Sequence, residues 1–168
     1  MAKRTIESKD ITYREATWRD VIFLYQLRNR KESYTYFRNN RPVGLLEHFF
    51  WFTKLLSRKT NKKLYVVSYG HQKVGQIRFD KIAHDSAEIS ISILKEYMGR
   101  GIMSGVFEKT VKDYLTSEKS FFNVYAFIHP RNKGSILFFK KMKFLKRGIR
   151  KNQNGQELKY LRKGNTFT

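Results

Sequence analysis

The sequence predicts an α/β fold: one domain, residues 1–168, in which helices flank a mixed β-sheet. Segments that alternate with period two are interleaved with segments whose apolar residues recur at helical spacing. One alternating segment, residues 87–94, leads through a glycine-rich turn into a helical pattern. Near the C-terminus, Asn154-Gly155 between two alternating runs predicts a type I′ hairpin. The predicted order is therefore β-α-α-β-β-β-α-β-α-β-β, with no repeat and no linker that would divide the chain.

The N-terminal part predicts one strand and two helices. Residues 11–15 alternate and form the first strand, and Thr17 with Asp20 three residues later is typical of a capping box at a helix start. Residues 29–41 are polar and aromatic, which predicts a loop with a helical turn. Residues 45–56, rich in aromatic side chains, predict the second helix.

The remaining chain predicts six further strands and two further helices. The helices are one that follows the glycine-rich turn up to residue 115 and one at residues 133–143. The strands are expected at residues 64–69, 74–79, 87–94, 121–128, 145–150 and 156–161.

The glycine-rich turn, residues 96–105, is a candidate anion site. A strand that turns directly into a helix leaves backbone N–H groups free at the helix N-terminus, where the helix dipole also favours negative charge. Such a site most often holds a phosphate, and Arg100 would add a formal charge. The alternative is an ordinary tight turn whose glycines relieve steric strain.

Composition limits the class of protein. A chain of 168 residues with 40% hydrophobic content can bury a core, and no run approaches transmembrane length. The first residues lack an apolar signal core, so we expect a cytoplasmic protein. The absence of cysteine excludes disulfides, thiolate metal sites and a cysteine nucleophile, and we expect no metal.

The net charge of +21, from 35 Lys and Arg against 14 Asp and Glu, favours polyanionic partners. Nucleic acid, an anionic membrane and phosphorylated small molecules are the candidates, and simple solubility charge is the alternative. The basic residues are spread along the chain, which argues against a disordered nucleic-acid arm.

The element order and two motifs resemble the Gcn5-related N-acetyltransferase (GNAT) superfamily over nearly the whole chain. Residues 97–104 resemble its acetyl-CoA pyrophosphate loop, Gln/Arg-x-x-Gly-x-Gly/Ala: Gly101 matches, whereas Met98 and Met103 depart. Residues 132–144 resemble its Asn-x-x-Ala-Ile-x-Leu-Tyr-x-Lys-x-Gly-Phe segment. The resemblance implies acetyl-CoA as cosubstrate, contacted from residues 87–144. The implied cofactor-binding residues are Ile91, Ser92, Ile93, Gly99, Arg100, Gly101, Ile102, Met103, Ser104 and Asn132.

Phe139 is the most consequential departure from the family pattern. It stands where the family usually has a tyrosine whose hydroxyl protonates the departing CoA thiolate. General acid catalysis is worth ~10²–10⁴-fold, although a thiolate is a tolerable leaving group. A slower enzyme, an acid such as Tyr125 or Ser135, a bound water, or an inactive CoA-binding relative all fit this departure.

A narrower resemblance concerns the acceptor, which the family binds on the side formed here by residues 11–63. Leu27-Arg28-Asn29 and Glu47-His48-Phe49-Phe50-Trp51 resemble GNAT enzymes that acetylate amino-sugar nucleotides, as in the pseudaminic acid pathway. This implies that Arg28 and His48 face the sugar or its diphosphate and that Trp51 stacks on the base. A helix-end cation is the alternative for Arg28, and core packing is the alternative for Trp51.

The chemistry implied is direct transfer of acetyl to a primary amine. The thioester would lie at the splayed end of the strand at residues 88–94, with pantetheine along the strand and the Ile93 N–H stabilising the oxyanion. Glu88, or His48 through a water, is the candidate base, and an outward-facing carboxylate is the alternative for Glu88.

Two rival functions and several partners follow. A GNAT enzyme for protein amines, such as ribosomal-protein N-termini, is one rival, and a non-enzymatic nucleic-acid-binding domain is the other. We expect a phosphorylated or nucleotide-linked small amine as substrate, no nucleic acid and a possible homodimer. We expect no membrane role, since the helix at residues 45–56 carries Glu47 and few basic residues.

Overall fold

A computed structural model describes residues 10–37, 39, 41–57, 60–118, 123–152 and 155–163. The predicted fold class and element order are confirmed. The strands are β1 (Ile11–Glu15), β2 (Lys62–Tyr69), β3 (Gln72–Ala83), β4 (Ser86–Ile93), β5 (Asn123–Ile128), β6 (Leu145–Asn152) and β7 (Gly155–Lys163). The helices are α1 (Val21–Asn29), α2 (Lys31–Tyr34), α3 (Leu45–Leu56), α4 (Ile102–Glu118) and α5 (Lys133–Lys141).

The observed boundaries of the elements differ most from the predicted ones where polar residues continue an alternating strand. β3 runs on past Phe79 because Asp80 and Lys81 pair with Glu88 and Ala87 of β4. The Asn154 turn residue and the first two residues of the predicted strand at 121–128 lie outside the described residues. None of the helices in the described part of the chain is long and apolar enough to cross a bilayer.

All strands join one sheet in the order β1-β2-β3-β4-β5-β7-β6. Each neighbouring pair is antiparallel except β4 and β5, which are parallel. That parallel pairing covers three residue pairs and ends at Glu88 opposite Tyr125. Beyond it β4 stays paired with β3 as far as Ile93, while β5 stays paired with β7.

Two apolar clusters hold helices on both faces of the sheet. The larger packs α4 and α5 against the sheet, with Phe79 and Tyr114 stacked at 4.2 Å between ring centroids. The smaller lies under α1 and α3 and includes Leu24, Phe52 and Val66. Because alternate residues of β2 face opposite layers, both faces of that strand are buried.

Asp20 joins three segments of the chain: β1, the 3-10 turn before α1, and β3. The predicted pairing with Thr17 forms, since Asp20 Oδ2 accepts from the Thr17 backbone N–H at 2.8 Å, in the 3-10 turn that runs into α1. Arg14 donates to both carboxylate oxygens, at 2.7 and 2.8 Å, and Lys73 Nζ lies 2.6 Å from Oδ1. Burial alone would raise the pKa of Asp20, but these hydrogen bonds outweigh it and hold the pKa well below its usual range.

We predict that Asp20→Asn lowers the free energy of unfolding by about 3 kcal/mol at neutral pH, because it breaks a buried ion-pair network. The folded-state pKa lies below the unfolded value of about 3.9, so the carboxylate stabilises the protein fully above that value and progressively less below it. The difference in the free energy of unfolding between wild type and variant should therefore be constant from about pH 7 to about pH 5 and become smaller at lower pH. Urea titrations across this range measure it.

Glu15→Gln is the matched control for this experiment. The exposed Glu15 carboxylate pairs with Lys63 at 3.0 Å on the surface, where such a pair is worth ~1 kcal/mol or less. A difference between wild type and Asp20→Asn that grows as the pH falls would contradict the prediction.

Candidate active site

The parting of β4 and β5 opens a cleft of about 970 Å³ in the middle of the sheet. Its walls come from the C-terminal half of β4, the glycine-rich turn and the start of α4, from the end of β5 with α5, and from α2 with the loop after it. All of the residues predicted to bind the cofactor line this cleft except Arg100.

The open edge of β4 presents backbone groups to the cleft. The Leu94 N–H bonds the Val74 carbonyl on β3 at 2.8 Å. Because neighbouring residues of an extended strand direct their N–H groups to opposite edges, the N–H groups of Ile93 and Ile91 face away from β3. No strand of the described chain pairs with them there, so they are available to an extended ligand.

The glycine-rich turn forms a helix N-terminus at the mouth of the cleft. Gly99 and Gly101 have φ of 71° and 81°, in the left-handed region that glycine adopts without strain. The first helical hydrogen bond of α4 runs from the Gly105 N–H to the Gly101 carbonyl at 3.0 Å. The N–H groups of residues 102–104 therefore precede the helical ladder, which is the geometry of an anion site.

Met103 does not obstruct this site. Its side chain is 6% exposed and belongs to the core, lying against the backbone of Gly75 where β3 and β4 approach closely. The Met103 side chain is thus directed into the core, although the residue also borders the cleft. Arg100 instead lies over the Tyr97 ring, with its Cζ 5.3 Å from the centroid.

Asn132 caps α5 and also lines the cleft. Its Oδ1 accepts from the Ser135 backbone N–H at 3.1 Å, which satisfies one donor of the helix start. Phe139, on the same helix, reaches the cleft from an aromatic cluster in which its ring lies 5.4 Å from Phe138 and 5.0 Å from Phe144. Ser135 lines the cleft, whereas Tyr125 is not among the lining residues.

Arg28 is the predicted acceptor residue that the structure places in the cleft. Its Nη2 donates to the Asn39 carbonyl at 3.3 Å, and its Cζ lies 4.5 Å from the centre of the Phe37 ring. Its Nη1 is buried and has no hydrogen-bond partner among the described residues. Burial, and then the nearby charge of Arg78, lower the pKa of this guanidinium from its ordinary value, though arginine stays charged.

The structure does not support the assignments of His48 and Trp51. His48 is buried beside the smaller apolar cluster, with its ring centroid 6.0 Å from that of Phe52. Its Nε2 lies 3.2 Å from the Val21 carbonyl. Burial lowers the pKa of His48 from its ordinary value of 6.5, so the imidazole is neutral at pH 7. Trp51 packs against the same cluster, and neither residue is among those lining the cleft.

Glu88 lies at the apex where β4 and β5 part. Its carboxylate is largely buried, lines the cleft and lies 3.6 Å from Arg150 Nη1. Arg150 Nη2 also pairs with Glu157 Oε2 at 2.6 Å, and Arg150 Cζ lies 3.3 Å from the centre of the Phe127 ring. Glu88 is thus neither an outward-facing strand residue nor an isolated carboxylate, since it is tied to β6.

Several lining residues were not singled out from the sequence. They lie on a strand or in α2 and its loop, and they include Glu32, Tyr36, Gln76, Arg78, Asp80 and Glu157. The polar positions 76, 78 and 80 alternate with apolar residues in β3, so this period-two pattern was the available signal. No group of three or more potential metal ligands occurs in the described part of the chain.

Comparison with known proteins identifies the family of this chain. The model of the acetyltransferase (GNAT) domain family matches residues 10–145. No curated protein matches the chain.

Solved structures share the fold at low sequence identity. A domain from Methanocaldococcus jannaschii DSM 2661 is 22% identical, with a TM-score of 0.76 and 91% of this chain and 97% of that chain covered. The aminoglycoside acetyltransferase AAC(6′)-Ib in complex with coenzyme A is 14% identical, with a TM-score of 0.79 and coverage of 94% and 96%. A spermidine N-acetyltransferase from Vibrio cholerae, in complex with CoA and spermine, is 18% identical, with a TM-score of 0.77 and coverage of 91% and 94%.

The family model spans most of the chain, including the parted strands, the glycine-rich turn and Asn132. The chain therefore belongs to the GNAT acetyltransferase family and is an N-acetyltransferase.

Proposed function

We propose that the protein transfers acetyl from acetyl-CoA to a primary amine of a small molecule by direct attack. The observation that carries this proposal is the unpaired edge of β4 beside the helix N-terminus at Gly101. The N–H groups of Ile91 and Ile93 suit the amides of a pantetheine arm, and those of residues 102–104 suit its pyrophosphate.

The reaction needs few groups from the protein. The amine nitrogen attacks the thioester carbonyl carbon, the carbon–sulfur bond breaks, and CoA leaves as a thiolate. A free N–H group on the open edge of β4 would stabilise the oxyanion, and Glu88, at the apex of the cleft, would take the proton released by the amine through a water. Most of the acceleration comes from holding both substrates in one cleft.

The acceptor is proposed to be an amino-sugar nucleotide or another amine that carries an anionic group. The support is Arg28, whose buried Nη1 lacks a partner among the described residues and whose charge suits a phosphate or carboxylate. Two of the solved structures that share this fold have other acceptor chemistry: one is an aminoglycoside acetyltransferase, and the other is a spermidine N-acetyltransferase in complex with spermine. Aminoglycosides and polyamines carry no anionic group to pair with Arg28, so they form the natural comparison set.

Calorimetry with acetyl-CoA tests the proposed cosubstrate. We expect one molecule to bind per chain with a dissociation constant below the millimolar range. We expect Gly101→Ala to weaken binding about tenfold, because a Cβ strains the left-handed backbone that aims the N–H groups. Gly70→Ala is the matched control, because Gly70 also has a positive φ, of +57°, with open space around it, and it lies in the β2–β3 turn away from the cleft. Absence of binding by the wild type would contradict the proposal.

Thiol release measures turnover with an acceptor panel, and the chain has no cysteine to interfere. The panel contains an amino-sugar nucleotide, spermidine, an aminoglycoside and N-terminal peptides. We predict that Arg28→Gln raises KM for the anionic acceptor about 10- to 100-fold, as expected for a lost charged hydrogen bond, without changing acetyl-CoA affinity. KM for spermidine should not rise.

Arg147→Gln, an exposed arginine of β6, controls for the loss of one positive charge. Equal effects of Arg28→Gln on anionic and cationic acceptors would show that Arg28 is structural. Turnover of peptides alone would favour the protein-acetylating rival.

Phe139→Tyr tests whether a missing general acid limits the reaction. We predict a rise in kcat of at least about tenfold near neutral pH, within the ~10²–10⁴ available to a positioned acid. The gain should fade as the pH approaches the ordinary tyrosine pKa of about 10, where the hydroxyl loses its proton. The measurement is kcat against pH at saturating acetyl-CoA.

Phe144→Tyr is the matched control, since Phe144 belongs to the same aromatic cluster but is not among the residues that line the cleft. Thermal melts show whether either hydroxyl destabilises the cluster. If Phe139→Tyr folds normally and gives no gain at any pH, thiolate protonation does not limit the rate.

A further inference from the structure

A group of exposed apolar side chains lies outside the cleft. The Trp18 and Phe49 rings are 5.8 Å apart and join the 3-10 turn before α1 to the outer face of α3. We name this surface the Trp18–Phe50 patch; its members, each at least 45% exposed, are Trp18, Ile22, Leu45, Leu46, Phe49 and Phe50. Monomeric proteins rarely expose so many large apolar side chains together unless the surface binds something.

Helical spacing explains why these side chains share one surface. Leu45 and Phe49 are four residues apart, as are Leu46 and Phe50, so both pairs lie on one side of α3. The opposite side of α3 packs in the smaller apolar cluster, where Phe52 and Leu55 are buried. The outer residues therefore contribute nothing to that core, and their exposure is a separate property of the helix.

Charge identifies what the patch contacts. The chain carries a net charge of +21, so two copies repel each other, whereas an anionic surface attracts the protein. Exposed cations adjoin the patch: Arg19 follows Trp18 in the same turn, and Lys54 lies one helical turn beyond Phe50. Glu47, the residue that argues against a membrane role at the level of sequence, pairs with Arg41 at 3.4 Å.

We infer that the Trp18–Phe50 patch docks the protein on a bilayer with anionic headgroups. The aliphatic and phenyl side chains enter the boundary between headgroups and acyl chains, Trp18 lies at that boundary, and the nearby cations contact the headgroups. None of the patch residues is among the described residues that line the cleft. The cleft thus stays open to its substrates while the protein is bound.

Vesicle sedimentation with the full chain tests this inference. We expect the protein to sediment with phosphatidylcholine vesicles containing phosphatidylglycerol, to sediment much less with phosphatidylcholine alone, and to be released partly by salt. The double variant Leu46→Asn, Phe50→Asn should bind at least about tenfold more weakly, since one buried Leu or Phe is worth that factor. Ile82→Asn is the matched control, because Ile82 is a similarly exposed aliphatic residue outside the patch.

Fluorescence then locates the contact. The chain has 2 Trp, so Trp51→Phe leaves Trp18 as the single reporter, and its emission should shift to the blue when anionic vesicles are added. Thermal melts confirm that all variants are folded. Three results would overturn the inference: no sedimentation of the wild type, equal sedimentation of the double variant, or light scattering that shows a dimer which the double variant abolishes.

Discussion

The parting of β4 from β5 after Glu88 is the constraint on which the rest of the site depends. A paired sheet would satisfy the backbone groups of β4 internally and leave no room for a ligand. Here β4 stays paired with β3, and β5 stays paired with β7. The two strands therefore separate, and the edge of β4 at Ile91 and Ile93 faces a cleft. Helix α4 begins at the far end of this edge, which places the anion site and the free strand edge in line.

Those parts of the site that depend on local geometry could be predicted from the sequence. The alternation of residues 87–94 gives the strand, and the glycines that follow give the turn and the free N–H groups. Each of these properties depends on backbone conformation within a few residues. The short parallel pairing of β4 and β5 is different, because it joins strands that are far apart in the chain and no local pattern in the sequence indicates it.

Sequence reasoning was less successful for residues 11–63, the part of the chain predicted to bind the acceptor. The helix at residues 45–56 is apolar on almost every side, so its pattern does not show which face is buried, and His48 proved to belong to the core. The sequence likewise did not show the direction of Met103, whose side chain packs in the core although the residue borders the cleft. Arg28 could be named from its motif, but the sequence does not show that its Nη1 is buried without a partner among the described residues, which depends on how Phe37 and Asn39 pack against it.

Charge has two separate roles in this molecule. The net charge of +21 attracts anions, which suits a coenzyme with phosphates but repels an ammonium group that must reach the same cleft. Four of the 14 acidic residues nevertheless line that cleft: Glu32, Asp80, Glu88 and Glu157. Asp80 and Glu88 are direct cross-strand neighbours, an arrangement that is unfavourable unless cations lie near, and Lys62 and Arg150 are those cations here. Five cationic residues line the cleft beside these four carboxylates: Arg28, Arg78, Arg131, Lys133 and Lys141. The formal charge of the lining is therefore close to zero, so an amine would meet less repulsion there than the net charge of the chain suggests.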